Sequence, residues 1–177
     1  MLTLLIGGSG CGKSVFGEAL AAQTLPPRYY IAAMRPYGEE SLARIERHRA
    51  QRSHLGFETF DRYTDVGGLV LPRRGAALLE CLCNLTANEM FDEDGVKEES
   101  AEAVVKTVLS GVDALHSQAT HLIVITNDVG SDGARYGEGA MRYMRALGKI
   151  NAQLAKKADH VAELVCGIPL WLKGGAI

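Results

Sequence analysis

Hydrophobic residues along the chain form short continuous runs that alternate with longer segments of helical periodicity. The short runs predict strands over residues 2–6, 28–32, 57–60, 76–80, 121–126 and 161–166, with a tail strand over 170–173. The periodic segments predict helices over residues 13–23, 39–51, 82–91, 98–117 and 141–158. The run 122–125 is apolar on both faces of a strand, which is typical of a parallel sheet covered by helices. The alternation predicts one α/β domain over residues 1–177, with a mostly parallel sheet and helices on both faces.

Two irregular segments interrupt this pattern. Residues 92–99 are acidic and predict a loop whose charges complement the dipole of the following helix. Residues 130–139 contain four glycines and predict a mobile loop after a strand. The carboxyl edge of an open α/β sheet is where ligands bind, so this second loop is predicted to lie near a site.

A phosphate-binding loop follows the first predicted strand. Its sequence is Gly7-Gly8-Ser9-Gly10-Cys11-Gly12-Lys13-Ser14, which fits the pattern G-x-x-x-x-G-K-[ST]. The glycines let backbone N–H groups converge on an anion, and the helix starting near Lys13 points its positive end at the same place. Lys13 is predicted to contact the β- and γ-phosphates and Ser14 to bind Mg²⁺, while Cys11 contributes its backbone N–H. The strand–loop–helix context predicts an ATP or GTP site and a P-loop NTPase-like fold.

Two acidic residues stand at or just after predicted strand ends. Glu80 ends the strand 76–80, and Asp128 follows the strand 121–126 by two residues. P-loop enzymes place acidic groups near their metal ion at such positions. Both residues are therefore candidates for metal or substrate binding.

One histidine lies among four arginines in the segment 44–52, at the end of the second predicted helix. Arg44, His48 and Arg52 are spaced four residues apart and so share a helix face. The spacing alone is compatible with a solvated basic face. It is also compatible with a histidine nucleophile towards phosphorus, with guanidinium groups holding the phosphate oxygens.

Composition and charge narrow the class of protein. With 177 residues and a net charge of −2, the chain has no overall field that would attract nucleic acid or an anionic membrane. The apolar run at the start of the sequence is too short for a signal peptide or a membrane span. The four cysteines lack metal-site spacing and are interpreted as buried apolar residues in a reducing compartment, which predicts a cytoplasmic protein.

These residues together resemble the bifunctional adenosylcobinamide kinase/adenosylcobinamide-phosphate guanylyltransferases of coenzyme B12 assembly. The resemblance covers nearly the whole chain. The P-loop is common to many enzymes, whereas the arginine–histidine element and the Thr-Asn-x-Val-Gly element are together much more specific. The matching segments are the P-loop, Tyr30-Ile31-Ala32, Arg44-Ile45-x-x-His48-Arg49-x-x-Arg52, Leu78-Leu79-Glu80-Cys81-Leu82, Thr86 with Asn88, Val124 to Gly130, Asn151 to Ala155, Ala158-Asp159 and Gly167-Ile168-Pro169.

The resemblance implies two activities and a set of site residues. It implies phosphoryl transfer from ATP or GTP to adenosylcobinamide, and GMP transfer from GTP through a guanylylated His48. It further implies a corrinoid substrate and a homotrimer. Beyond the P-loop, the implied nucleotide contacts are Ala32, Ala33, Met34, Arg49, Ala50, Gln51, Arg52, Asp61 and Glu80, with Arg44, Asn127 and Asp128 as candidates for phosphate or acceptor binding.

Some positions depart from the family pattern. The segment after Asn127-Asp128-Val129-Gly130 is one residue longer and lacks the family's proline, Phe57 stands where a tryptophan is common, and Asp61 replaces a glutamate. These departures leave open a different acceptor or a partly lost activity. Two alternative functions remain beside the one that the resemblance implies: a P-loop small-molecule kinase without guanylyl transfer, and a non-catalytic nucleotide-dependent regulatory protein.

Overall fold

The computed structural model describes residues 1–92, 95–97, 100–130 and 133–177. Inside its helices and strands, the description excludes the side chains of Glu40, Ser41, Arg44, His48, Gln51 and Val96. The helices are α1 (Lys13–Ala22), α2 (Gly38–Arg52), α3 (Leu82–Met90), α4 (Ala101–Gln118) and α5 (Glu138–Lys157). The strands are β1 (Leu2–Ile6), β2 (Arg28–Ala32), β3 (Phe57–Asp61), β4 (Ala76–Glu80), β5 (Phe91–Asp92), β6 (Gly95–Val96), β7 (His121–Ile125), β8 (His160–Val165) and β9 (Ile168–Lys173).

Within these residues, seven strands form one sheet in the order β3-β2-β4-β7-β1-β8-β9. Neighbouring strands are parallel from β3 through β8, and β9 returns antiparallel to β8. The predicted P-loop NTPase-like fold with a mostly parallel sheet is confirmed. Because the strands are parallel, the segments that follow β1, β2, β3, β4 and β7 meet at one edge of the sheet.

Apolar side chains cover both faces of the sheet. On one face, residues of α3, α4 and α5 pack against Leu4, Ile31 and Leu79. On the other face, α1 packs against residues such as Leu78 and Ile125. A Cβ atom added at Gly17 of α1 would lie 3.1–3.3 Å from side chains of β1, β4 and β7, so α1 lies unusually close to the sheet. This close packing fixes the start of α1, where the P-loop ends.

The structure corrects several predicted boundaries. Strand β9 begins at Ile168 rather than 170, and α5 begins at Glu138, inside the segment predicted as a loop. Part of the predicted acidic loop forms a short antiparallel pair, β5 with β6, while residues 93–94 and 98–99 lie outside the described residues. The last strand turns back because β8 and β9 are joined by a tight turn with left-handed backbone at Cys166 and Gly167. That turn leaves Cys166 exposed, so the prediction that all four cysteines are buried is wrong for this one, while Cys83 is buried and Cys11 and Cys81 are partly buried.

The start of α4 and the end of α5 follow from local chemistry. The Ser100 hydroxyl accepts a hydrogen bond from the backbone N–H of Ala103 at 3.1 Å and so caps α4. Lys156 and Lys157 lie in the last turn of α5, where positive charge complements the helix dipole. No helix in the described part of the chain combines the length and the apolar composition needed to cross a bilayer.

Candidate active site

The P-loop connects β1 to α1 at the carboxyl edge of the sheet. Gly10 and Gly12 adopt left-handed backbone with φ of 71° and 97°, a conformation that favours glycine. Lys13 is almost completely buried, and its ammonium group donates to the carbonyl oxygens of Gly7 at 3.0 Å and Gly8 at 2.6 Å. The lysine is thus held inside the loop by backbone contacts.

A cavity of about 220 Å³ lies above this loop. We name it the phosphate cavity. Its walls are Ser9, Gly10, Cys11, Gly12, Lys13, Ser14, Val15, Glu80, Cys81, Ile125 and Asn127. It brings the predicted loop residues from Ser9 onwards together with Glu80 and Asn127, while Gly7 and Gly8 contribute the carbonyls that hold Lys13.

Glu80 accepts hydrogen bonds through both of its carboxylate oxygens. The Ser14 hydroxyl donates to Oε1 at 2.5 Å, and the Tyr30 hydroxyl donates to Oε2 in a short hydrogen bond. Burial, reinforced by the Glu80 carboxylate, raises the pKa of Tyr30 far above its usual value, so the hydroxyl stays protonated as a donor. Glu80 therefore links the P-loop serine to the interior of β2.

A second, narrower cavity lies on the other side of Glu80. We name it the arginine cavity. Its volume is about 30 Å³, and its walls are Tyr30, Ala32, Met34, Ile45, Arg49, Arg52, Asp61 and Glu80. Glu80 lines both cavities. The two cavities are therefore neighbours along the same edge of the sheet.

Two arginines of α2 fix that helix to the sheet. The guanidinium carbon of Arg52 lies 3.7 Å from the centre of the Tyr30 ring, and the Arg52 side chain is buried. Arg49 forms an ion pair with Asp61 at 2.9 Å, and both of these side chains are about half exposed. The predicted nucleotide contacts at Arg49, Arg52 and Asp61 thus lie together.

The position of residue 48 can be given from the backbone of α2. It lies three residues after Ile45 and four before Arg52, and both of those residues line the arginine cavity. The side chains of His48, Arg44 and Gln51, three predicted site residues, lie outside the described atoms. Ala50 is exposed and is not among the described residues that line the arginine cavity.

The remaining predicted site residues lie at or after the ends of β2 and β7. Ala32 and Met34 line the arginine cavity, whereas Ala33 is fully buried and belongs to the core on the α3 side of the sheet. Ala33 still contributes through its backbone, because its N–H donates to the Glu80 carbonyl oxygen at 2.8 Å. Asp128 is exposed and is not among the described residues that line either cavity.

Asn127 is held in the phosphate cavity by the Cys83 thiol and by α5. Its backbone N–H donates to the Cys83 sulfur at 3.1 Å, and its carbonyl oxygen accepts from the Asn151 amide at 3.4 Å. A hydrogen bond from the Cys81 thiol is the main cause of a lowered pKa at Cys83. A negatively charged Cys83 sulfur would strengthen its bond to the Asn127 N–H.

The sequence interpretation assigned no site role to Tyr30 or Glu18, which the structure places beside Glu80. Burial raises the pKa of the Glu18 carboxyl to about 7, with the charge of Glu80 adding to the rise and the guanidinium of Arg52 opposing it. The sequence contains weak signals for both residues. Glu18 follows Ser14 by one helical turn, and Tyr30 shares a strand face with Ala32.

The chain is similar to known proteins over nearly its whole length. The sequence profile of the family described as "CobU: Cobinamide kinase / cobinamide phosphate guanyltransferase" matches residues 3–172. The bifunctional adenosylcobalamin biosynthesis protein CobU of Escherichia coli is 29% identical over 186 residues, covering 98% of this chain and 100% of that protein. The corresponding CobP protein of Pseudomonas aeruginosa is 26% identical over 177 residues, covering 98% of each chain. Among solved structures, an ATPase domain matches 92% of this chain and 68% of its own with a TM-score of 0.51, at 11% identity, a likeness of fold alone.

Proposed function

Because the chain belongs to the cobinamide kinase / cobinamide phosphate guanyltransferase family, we propose that it carries out both reactions at the edge of the sheet described above. The family predicted from the sequence is the one found, and its membership makes the chain an enzyme of the kinase and nucleotidyltransferase type. The observation that carries the proposal is the shared wall of the two cavities. Glu80 stands between a P-loop built for phosphates and a helix that contains one histidine among arginines.

In the first reaction, a hydroxyl oxygen of cobinamide attacks the γ-phosphorus of ATP or GTP. The bond between that phosphorus and the bridging oxygen breaks, and a nucleoside diphosphate leaves. We propose that Lys13 and the backbone N–H groups of the P-loop hold the phosphates, because positioning and charge neutralisation dominate phosphoryl transfer. Asn127 also lines the phosphate cavity.

The oxygen atoms at the base of the phosphate cavity fit Mg²⁺. The Ser14 hydroxyl and the Glu80 carboxylate are adjacent there, and Mg²⁺ prefers oxygen ligands completed by water and by substrate phosphates. Bound there, the ion would neutralise charge on the phosphate oxygens. Ser14 and Glu80 are the residues that we propose to hold it.

In the second reaction, an imidazole nitrogen of His48 attacks the α-phosphorus of GTP and pyrophosphate leaves. A phosphate oxygen of cobinamide phosphate then attacks the same phosphorus, the phosphorus–nitrogen bond breaks, and the imidazole is regenerated. Arg49 and Arg52 lie in the same helix and line the arginine cavity, so their guanidinium groups can offset the charge that builds on the α-phosphate. Arg44 is proposed to assist from one turn earlier.

Labelling with GTP carrying ³²P in the α-phosphate tests the histidine step. The wild-type protein should acquire label that survives denaturation, is lost in acid and is stable in alkali, as expected of a phosphoramidate. His48→Asn should abolish the label, whereas His54→Asn, which changes an exposed histidine just after α2, should retain it. If folded, GTP-binding wild-type protein acquires no label, the simple kinase is the better account. If it also fails to phosphorylate cobinamide, the regulatory protein replaces both.

We further propose a cytoplasmic homotrimer that acts on small molecules. The net charge of −2 supports small-molecule partners over nucleic acid. Leu42 of α2 is about half exposed, which suits a helix that packs against another subunit. Light scattering coupled to size-exclusion chromatography measures the mass of the assembly, and a mass corresponding to one 19.0 kDa chain would contradict the trimer.

A further inference from the structure

We infer that a groove beside the arginine cavity binds the corrin ring of the cobinamide substrate; this inference rests on the proposed function. We name it the aromatic groove. Its walls include Arg35, Tyr37, Tyr63, Asn88 and Phe91. Neither of the two nucleotide cavities supplies a comparable space, because their volumes are about 220 Å³ and about 30 Å³.

The size and lining of the groove suit a broad, flat ligand with polar substituents. Its volume is about 680 Å³, within the usual range for sites that bind larger small molecules. Tyr37, Tyr63 and Phe91 supply aromatic surface that can pack against a macrocycle. Arg35 can donate hydrogen bonds to the amide carbonyl groups at the periphery of a corrin ring.

The groove is continuous in sequence with the arginine cavity. Met34 lines the arginine cavity and the next residue, Arg35, lines the groove. On the neighbouring strand, Asp61 lines the cavity and Tyr63 lines the groove. Consecutive Cα atoms are about 3.8 Å apart, so the two spaces share a wall only one or two residues thick. A ring in the groove can therefore extend its short hydroxyl-bearing tail over that wall towards the nucleotide.

One side chain holds the two walls together. The Asn88 amide nitrogen in α3 donates to the Ala33 carbonyl oxygen at 2.8 Å and to the Tyr63 carbonyl oxygen at 2.9 Å. These two bonds fix the segments after β2 and β3 relative to each other. The shape of the groove is thus set before a ligand arrives, which reduces the ordering cost of binding.

A second groove of similar volume does not fit the same ligand. It lies along α4 and α5, is lined by charged residues such as Lys106 and Lys157, and has no aromatic side chain among the described residues that line it. The ion pairs Lys149–Glu102 and Lys157–Asp113 also join residues of its walls. Size alone does not separate the two grooves, but lining chemistry and position beside the nucleotide cavities do.

Equilibrium dialysis against dicyanocobinamide, with and without a GTP analogue that cannot be hydrolysed, tests this assignment. Tyr37→Ala and Arg35→Ala change side chains that are exposed, so both variants should fold. We expect Tyr37→Ala to raise the Kd for cobinamide at least about tenfold, as for an aromatic anchor, and Arg35→Ala to raise it less. The Kd for the GTP analogue should not change in either variant.

Two matched controls lie at the opposite, amino edge of the strands. Leu25→Ala removes a large exposed apolar side chain, and Arg73→Ala removes an exposed arginine; neither should alter cobinamide binding. If Tyr37→Ala and Arg35→Ala both bind cobinamide within about twofold of the wild type, the groove is not the site.

The labelling of His48 by GTP needs no cobinamide, so the two proposals can fail separately. If the wild-type protein is labelled and binds cobinamide, and the groove variants bind cobinamide equally well, the groove assignment is wrong but the proposed function stands. Wild-type protein that is neither labelled nor binds cobinamide overturns the proposed function, and the groove assignment with it. Weakened binding in the groove variants alone, with both controls unchanged, supports the groove.

Discussion

Helices α1 and α2 both supply residues to the candidate site, but they are held against the sheet in different ways. In α1, Lys13, Gly17 and Leu20 are buried, and a Cβ atom added at Gly17 would crowd side chains of the sheet at 3.1–3.3 Å. In α2, Arg52 is buried against an aromatic ring, while Leu42 and most other described side chains are exposed. Apolar packing therefore positions the P-loop, whereas charged groups position the helix that contains His48.

This difference predicts different responses to salt and to substitution. Apolar packing is insensitive to ionic strength, whereas half-exposed ion pairs are screened by salt. The P-loop should keep its geometry under conditions that loosen α2. The following changes test that contrast, from the largest expected effect to the smallest.

Lys13→Ala should have the largest effect on activity. It removes the ammonium group from the phosphate cavity, and losing one such charge-stabilising donor typically slows a reaction by about 10²–10³-fold. The measurement is the rate of γ-phosphoryl transfer to cobinamide. Lys149→Ala, which breaks an exposed ion pair on α5, is the control and should leave the rate unchanged. A Lys13→Ala rate within about threefold of wild type would remove this lysine from the mechanism.

Glu18→Gln should change how stability depends on pH. The folded-state pKa of Glu18 is raised from 4.5 to about 7, so the folded protein binds an extra proton between these pH values. The stabilisation of the folded state that comes from protonating Glu18 is fully present below pH 4.5 and is lost as the pH rises to about 7. Removing the carboxyl group should therefore stabilise the metal-free protein at pH 8 relative to pH 5, by roughly 1–3 kcal/mol. Urea denaturation at both pH values measures this, and parallel pH profiles for variant and wild type would contradict it.

Arg52→Met should loosen α2 while sparing the P-loop. The stacking of its guanidinium group on Tyr30 contributes roughly 1–2 kcal/mol to the free energy of unfolding. Labelling at His48 should fall more than nucleotide binding at the P-loop. Arg47→Met, an exposed change in the same helix, should affect neither quantity. Equal losses of labelling and of P-loop nucleotide binding would show that loosening α2 disturbs the P-loop as much as it disturbs His48.

Breaking the ion pair between Arg49 and Asp61 should have the smallest effect, which is on the free energy of unfolding. Both side chains are about half exposed, so a double-mutant cycle with Arg49→Gln and Asp61→Asn should give a coupling energy of about 0.2–1 kcal/mol. The coupling should shrink in 1 M salt, where the Debye length is only about 3 Å. A coupling that is independent of salt would mean that the pair is shielded from solvent.

The features that could be predicted from the sequence are those that depend on residues close together in the chain. The pattern of apolar residues predicted the seven strands of the main sheet. The signal was clearest for strands such as β7, which is buried along its whole length and therefore leaves little choice of residue. The P-loop was predictable because each of its residue types has a separate physical role. Glu80 was predictable because it ends a strand, the position at which P-loop enzymes place acidic groups.

Contacts between strands and between helices could not be predicted in the same way. Tyr30 reaches Glu80 because β2 pairs with β4 in the register that places Ala32 beside Glu80, and nothing within β2 specifies that register. The antiparallel return of β9 depends on the turn at Cys166, whose left-handed backbone is unusual for a residue other than glycine. The aromatic groove combines residues from three separate segments, so no single motif indicates it.

The two hydrogen bonds of Glu80 have a thermodynamic consequence. A ligand that draws Oε1 away from the Ser14 hydroxyl would move the same carboxylate that accepts from Tyr30 through Oε2, and Arg52 stacks on the Tyr30 ring. Through these contacts, we expect occupancy of the phosphate cavity to be linked to the position of α2. Such linkage is reciprocal. If a ligand in the phosphate cavity changes the affinity of the arginine cavity by some factor, a ligand in the arginine cavity changes the affinity of the phosphate cavity by the same factor. A carboxylate shared between two sites would in this way make the occupancy of either site affect the affinity of the other.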